Sequence, residues 1–174
     1  MTADWKTLIA DVPDFPQPGI VFKDITPLLA DGPAFRQVID AFAVAIGAAG
    51  ITQIVAIESR GFIFGAALAH HLGVGLTLVR KPGKLPRQAY SETYALEYGT
   101  DTVQMHADAL TVADRVIIVD DVLATGGTAA AAARLIGQVG AELVGFAFLM
   151  ELGFLAGRRR LPAGVPIHTL YPLD

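Results

Sequence analysis

The chain predicts a doubly wound α/β fold on a mainly parallel sheet. Three observations carry that prediction. Short, almost unbroken apolar runs recur along the sequence, two of them close on carboxylates followed by glycine, and helical stretches of about ten residues follow those glycines. Near-continuous apolar character is what a parallel strand shows when helices cover both its faces.

The elements follow in order. Asp11–Leu29 carries Pro13, Pro16, Pro18 and Pro27 and reads as a mostly irregular arm before a helix near Ala34–Ala49. Ile51–Ile57 (ITQIVAI) is the first strand and Gly61–Leu72 its helix, with Gly75–Arg80 (GLTLVR) the second strand. Lys81–Leu110 then breaks the alternation, because it has no helical apolar face. Its parts Tyr94–Tyr98 and Thr102–His106 alternate around Gly99-Thr100-Asp101, which predicts a β-hairpin. An excursion of this length is more often a functional lid than a spacer. Arg115–Val119 (RVIIV) is the third strand and the alanine-rich Thr128–Val139 its helix. Leu143–Leu149 is a fourth strand and Pro166–Tyr171 a weaker fifth. One domain is expected over residues 1–174, with 1–33 as an N-terminal arm and 81–110 as the excursion.

Bulk properties narrow the function. The residues are 53% hydrophobic and 17% charged, a surplus that anticipates an oligomer interface. A formal charge of −4 argues against non-specific nucleic-acid binding, which needs a basic face. With no cysteine, a disulfide framework, a thiol nucleophile and a thiolate zinc site are all excluded. The first residues lack a signal layout, and no apolar run approaches the roughly 18 residues of a membrane span. A cytoplasmic protein with no membrane partner is the expectation.

The most informative segment is Val116–Thr128, VIIVDDVLATGGT. An apolar strand ends in Asp120 and Asp121, and a loop of Ala124, Thr125, Gly126, Gly127 and Thr128 feeds a helix. Two glycines let backbone N–H groups converge on an anion, the threonine hydroxyls add donors, and the helix N-terminus adds partial positive charge. The pattern is neither a Walker loop, since no lysine follows the second glycine, nor a dinucleotide fingerprint. The carboxylates would repel a phosphate unless they faced sugar hydroxyls or a divalent cation. Glu58-Ser59-Arg60-Gly61 repeats the strand–turn–helix logic and brings a forked cation to the same sheet end. Arg80, Lys81, Lys84 and Arg87 open the excursion, either as a solvated turn or as a cationic loop that could close over an anion and exclude water.

VIIVDDVLATGGT resembles the phosphoribosyl pyrophosphate signature of type I phosphoribosyltransferases. The resemblance implies that Ala124–Thr128 hold the 5-phosphate and that Asp120 and Asp121 manage the ribose hydroxyls and Mg²⁺. It implies that Arg60, Lys81 and Lys84 hold pyrophosphate, and that the Glu58–Ser59 peptide is cis. ALEYG (95–99), after RKPGKLP, and PGIVFKDITP (18–27) resemble the adenine-specific members of that family. By that likeness Glu97 lies near N7 of the base as a catalytic acid, Phe22 stacks on the base, and backbone groups around Val21 and Lys23 read its amino edge. Enzymes for 6-oxo purines are expected to carry a lysine after the fourth strand, where this chain has Leu149-Met150-Glu151-Leu152. The likeness runs from about Phe15 to Leu161 and also implies a homodimer. Arg158–Arg160 read as a solvated helix end, and His70 and His71 as facing away from the core. The expected reaction is adenine plus phosphoribosyl pyrophosphate giving AMP and pyrophosphate with Mg²⁺. A transferase for hypoxanthine, guanine or xanthine and a non-catalytic phosphoribosyl pyrophosphate sensor stand as alternatives.

Overall fold

A computed structural model of the protein describes residues 4–96 and 99–174. The chain divides into two compact units, residues 1–41 and 42–174.

The first unit is more regular than its prolines suggest. Strands β1 (Ala10–Pro13) and β2 (Val21–Asp24) pair antiparallel, setting Asp11 opposite Lys23 and Val12 opposite Phe22. The ribbon survives because Pro13 closes β1 and Pro16 and Pro18 fall in the connection, so no interior ladder donor is lost. That connection is tied by the Gly19 N–H donating to the Asp14 carboxylate at 2.8 Å. Helix α1 (Thr26–Ala30) starts where Asp24 accepts both the N–H and the hydroxyl of Thr26, with Pro27 in its first turn. Helix α2 (Gly32–Ile46) begins two residues ahead of the expected start and ends three before the expected finish.

In the second unit β3 (Gln53–Ile57) leads into α3 (Gly61–Leu72) and then β4 (Gly75–Val79). The hairpin β5 (Ala89–Ala95) and β6 (Thr100–His106) follows. Then come β7 (Arg115–Leu123), α4 (Gly127–Val139), β8 (Glu142–Leu152) and β9 (Ile167–Leu173). The sheet order is β4-β3-β7-β8-β9, and every neighbouring pair is parallel.

Alternate residues of the strands serve opposite faces. Val55, Ile57, Val116, Ile118, Phe146 and Phe148 join one core cluster with the alanines of α4. Ile54 and Ala56 face the other way, where α3 lies so close that a Cβ on Gly65 would sit 2.5 Å from that of Ala56. The alanine run of α4 therefore does more than favour helix. Ala131 and Ala132 are fully buried, and their small side chains let the helix lie against the sheet.

Two sequence expectations shift. The turn of the hairpin was expected at Gly99-Thr100-Asp101, yet Thr100 pairs with Ala95 and Asp101 with Tyr94, so both belong to β6. The hairpin is also no free excursion: Tyr94, Val103 and Met105 are buried in the α4 cluster. Second, β7 does not end at the carboxylates. It runs on through Leu123, with Asp120 opposite Phe148 and Leu123 opposite Glu151, because β8 is long enough to keep pairing with it.

Candidate active site at the sheet reversal

β3 and β7 are neighbours, but the chain leaves β3 toward β4 on one side and β7 toward β8 on the other. Their following loops diverge, and a crevice opens beyond the carboxyl ends of the two strands. A cavity of about 350 Å³ fills it, lined by residues 57–60, Lys81 and 120–129. Asp120, Asp121, Ala124, Thr125, Gly126, Gly127, Thr128, Arg60 and Lys81 are thus brought together from three stretches of sequence.

The loop 124–127 owes its shape to two backbone constraints. Gly126 precedes α4 with φ +79°, a left-handed conformation that a side chain disfavours. A Cβ there would also overlap the carbonyl oxygen of Gly157. The Gly126 carbonyl accepts the first helical bond, from Ala130 N–H at 2.9 Å. The N–H groups of a helix's first turn have no partner within the helix, and the residues that carry them here, Gly127–Ala129, line the crevice. Across the crevice the Glu58–Ser59 peptide is cis. Gly61 lets α3 start against β7, since a Cβ would stand 2.8 Å from Asp120 Oδ1 and from the Val119 carbonyl oxygen.

Asp121 is buried and Asp120 half-buried at the cavity wall. Arg60 Nε lies 2.8 Å from Asp121 Oδ2, and Asp121 is 3% exposed. That ion pair lacks hydrogen-bond alignment, so Oδ2 is a buried oxygen without a hydrogen bond. Asp120 Oδ1 accepts the Asp121 N–H at 2.9 Å. Burial, followed by the adjacent Asp121 charge, pushes the Asp120 carboxyl well above its ordinary value. Burial also raises Asp121, with Arg60 opposing. Two crowded carboxylates and an unsatisfied oxygen form a site short of positive charge and donors. Among the described residues no three His, Cys, Asp or Glu side chains gather as a metal cluster.

The predicted cations separate. Lys81 lines the crevice, where its ammonium meets the Asp101 carboxylate and the Tyr94 hydroxyl. Lys84 lies in a second cavity of about 380 Å³ with Arg80, Arg87 and His106. Arg80 donates to Glu58 Oε2 at 3.0 Å, and Arg87 pairs with Asp108. Burial opposes charge on Glu58, but the Lys81 N–H and the Arg80 guanidinium outweigh it and lower its pKa. Val21, Phe22 and Lys23 belong to the first unit. There Phe15 meets Phe22 edge to face at 5.2 Å, and Lys23 Nζ reaches Asp11 at 2.6 Å. Glu97 lies outside the described residues. His70 and His71 are exposed, as expected.

Three features escaped the sequence reading. Arg158–Arg160 are an exposed helix end, as expected, but Arg158 is also tied to the protein. They form a short 3-10 turn in which Arg158 donates twice, at 2.6 Å each, to the buried Glu151. Arg158, then burial in opposition, then Thr169 decide the Glu151 carboxyl, which stays below its ordinary value. This clasp sets Gly157 directly under the loop 124–126, so close that a Cβ on Gly157 would overlap the Ala124 carbonyl oxygen. Tyr94 is the third: its ring packs on Gly127 and its hydroxyl accepts from Thr128 Oγ1 at 2.9 Å. The only sequence signal was Gly157 beside an arginine run, which nothing local ties to the loop thirty residues earlier.

A parallel sheet in this order, with a glycine-rich loop and paired carboxylates at the sheet reversal, is the frame of a nucleotide- or sugar-phosphate-handling α/β protein, and comparison specifies the class. The family described as the phosphoribosyl transferase domain matches residues 28–162. An adenine phosphoribosyltransferase from Synechococcus sp. (strain JA-2-3B'a(2-13)) is 58% identical over 168 residues, 96% of each chain. The crystal structure of adenine phosphoribosyltransferase from Rhodothermus marinus is 56% identical with a TM-score of 0.92, covering 97% of this chain and 96% of that one. The Saccharomyces cerevisiae enzyme, crystallised with an imino-altritol bisphosphate and adenine, is 45% identical with a TM-score of 0.91, covering 95% and 96%. The chain belongs to the phosphoribosyltransferase family, among its adenine phosphoribosyltransferases.

Proposed function

We propose that this crevice is where the chain joins adenine to the 5-phosphoribosyl group of phosphoribosyl pyrophosphate, giving AMP and pyrophosphate. The observation that carries the reading is the Gly126-Gly127-Thr128 cradle facing the Asp120–Asp121 pair across one cavity. The cradle takes the 5-phosphate on Ala124–Thr128, which leaves the ribose hydroxyls against Asp120 and Asp121. Arg60, Lys81 and Lys84 serve the pyrophosphate. The bond from C1 of the ribose to the pyrophosphate oxygen breaks as the bond to the purine nitrogen forms. Positioning supplies much of the rate. Residues 1–33 act as a hood in which Phe22 stacks on adenine and the backbone of Val21 and Lys23 reads its amino group. Residues 81–110 act as the lid.

The carboxylate pair also fits Mg²⁺ carried in by the substrate. Mg²⁺ favours one or two carboxylates with phosphate oxygens and waters over an all-protein cage. The unsatisfied Asp121 Oδ2 and the absence of a third ligand among the described residues support that division. When bound, the ion offsets charge on the leaving pyrophosphate. A cytoplasmic homodimer is part of the same reading. It is supported by Ile63, Leu76 and Leu78, which stand exposed on α3 and the edge strand β4, and by the absence, among the described residues, of any helix able to cross a membrane.

Pyrophosphate release tests the function. With Mg²⁺ and phosphoribosyl pyrophosphate, adenine is expected to give release while hypoxanthine, guanine and orotate do not. Release with another base would overturn the reading of the hood, and donor binding without any release would indicate a sensor. Glu97 is proposed to assist the base at N7. Glu97→Gln is expected to lower turnover about 10²-fold at unchanged Tm; unaltered turnover would remove it from the mechanism.

A further inference from the structure

Lys81 reaches the crevice from the segment after β4, and it is not aimed there by its own neighbours. Its ammonium donates to Asp101 on β6 and, at 3.3 Å, to the Tyr94 hydroxyl on β5. Neither Asp101 nor Tyr94 lines the cavity. Asp101 is held in turn: its Oδ1 accepts the Thr102 N–H at 2.8 Å and its Oδ2 accepts the Tyr94 hydroxyl at 3.0 Å. Tyr94 is 8% exposed, and its oxygen also takes the Thr128 hydroxyl at 2.9 Å. One chain of hydrogen bonds therefore joins Lys81, Asp101, Tyr94 and Thr128, with its two ends in the crevice and its middle behind the wall.

The donor inventory gives this chain a direction. An ammonium has three N–H groups and no acceptor. Two are engaged by Asp101 and Tyr94, and the third remains for an anion in the cavity. Burial opposes charge on Lys81, yet Asp101 and Tyr94 outweigh it and raise its pKa, so the cation is secured. Lys81 in turn lowers the pKa of Asp101.

We propose that Asp101 and Tyr94 are positioning residues for the reaction, aiming the Lys81 ammonium at the leaving pyrophosphate and tying it to the Thr128 hydroxyl of the phosphate loop. The proposal rests on the donor-site reading above. It adds two residues that touch no substrate and gives the turn end of the hairpin a task distinct from covering the site.

The test is a double-mutant cycle on the full chain. Binding of inorganic pyrophosphate with Mg²⁺ and of ribose 5-phosphate would be measured separately for wild type, Asp101→Asn, Lys81→Met and the double variant, with thermal melts for each. Asp101→Asn and Lys81→Met are each expected to weaken pyrophosphate about tenfold, the loss of one charge-assisted contact. Ribose 5-phosphate should bind each single variant as it binds wild type. The double variant should be no weaker than Lys81→Met, because Asp101 acts through Lys81. Losses that multiply to about a hundredfold would overturn the proposal, as would equal weakening of both ligands by Asp101→Asn. An Asp101→Asn variant that binds normally while Lys81→Met does not would overturn the positioning role and leave the donor site standing. A Lys81→Met variant that binds normally would overturn both. Should Asp101→Asn fail to fold, Tyr94→Phe keeps the ring on Gly127 and is expected to weaken pyrophosphate several-fold; normal binding there would overturn the proposal.

Discussion

Gly126→Val is expected to cost more than 10³-fold in turnover while most of the fold survives. The left-handed backbone at Gly126 costs an L-residue about 1–2 kcal/mol, and a β-branched one more. The larger effect is steric. The new Cβ would meet the Gly157 carbonyl oxygen, backbone against backbone, so the loop must move as a unit. Moving it would take several N–H donors away from the proposed phosphate site at once, where the loss of one such donor elsewhere costs roughly 10²–10³. Steady-state turnover together with ribose 5-phosphate binding checks this. Normal phosphate binding by a folded Gly126→Val protein would show that the loop is not the cradle.

Asp120→Asn is expected to separate stability from function. Asparagine keeps the oxygen that accepts the Asp121 N–H, so the local geometry is preserved. It removes a carboxylate whose charge is disfavoured by burial and by Asp121. A carboxyl with a raised folded pKa destabilises the fold fully above that pKa, and the penalty disappears as pH falls below the ordinary value of 3.8. The ligand-free variant should therefore melt higher than wild type at pH 7, on the order of 2–4 °C for about 1 kcal/mol in a chain of this length. The gap should close toward pH 4. Turnover should fall roughly 10²–10³-fold if Asp120 holds the ribose as proposed. A variant with a lower Tm at neutral pH would contradict the electrostatic account, and one with full activity would contradict the role.

The strands were legible because burial on both faces leaves unbroken apolar runs, and α3 was legible to its end residues. The segment 120–128 was legible because its glycines, threonines and acids are contiguous. What escaped was non-local. The continuation of β7 past Asp121 depends on the length of β8. The ribbon β1–β2 depends on where, within a proline-rich stretch, the prolines fall relative to the ladder. Glu151, Arg158 and Gly157 meet the loop only through the parallel register of β7, β8 and β9, and no spacing rule reports that meeting. Tyr94 read as one alternating residue of a hairpin, and its contact with Thr128 arises from packing across thirty-four positions.

The pairing of Gly126 with Gly157 also orders events during synthesis. The signature 116–128 leaves the ribosome well before the turn that shapes it, and the clasp on that turn is completed only by Thr169. A nascent chain that already displays the whole signature has no platform under it. The crevice is finished by β9, so a chain cut short before Thr169 carries every residue of the motif and lacks the surface that holds them in place.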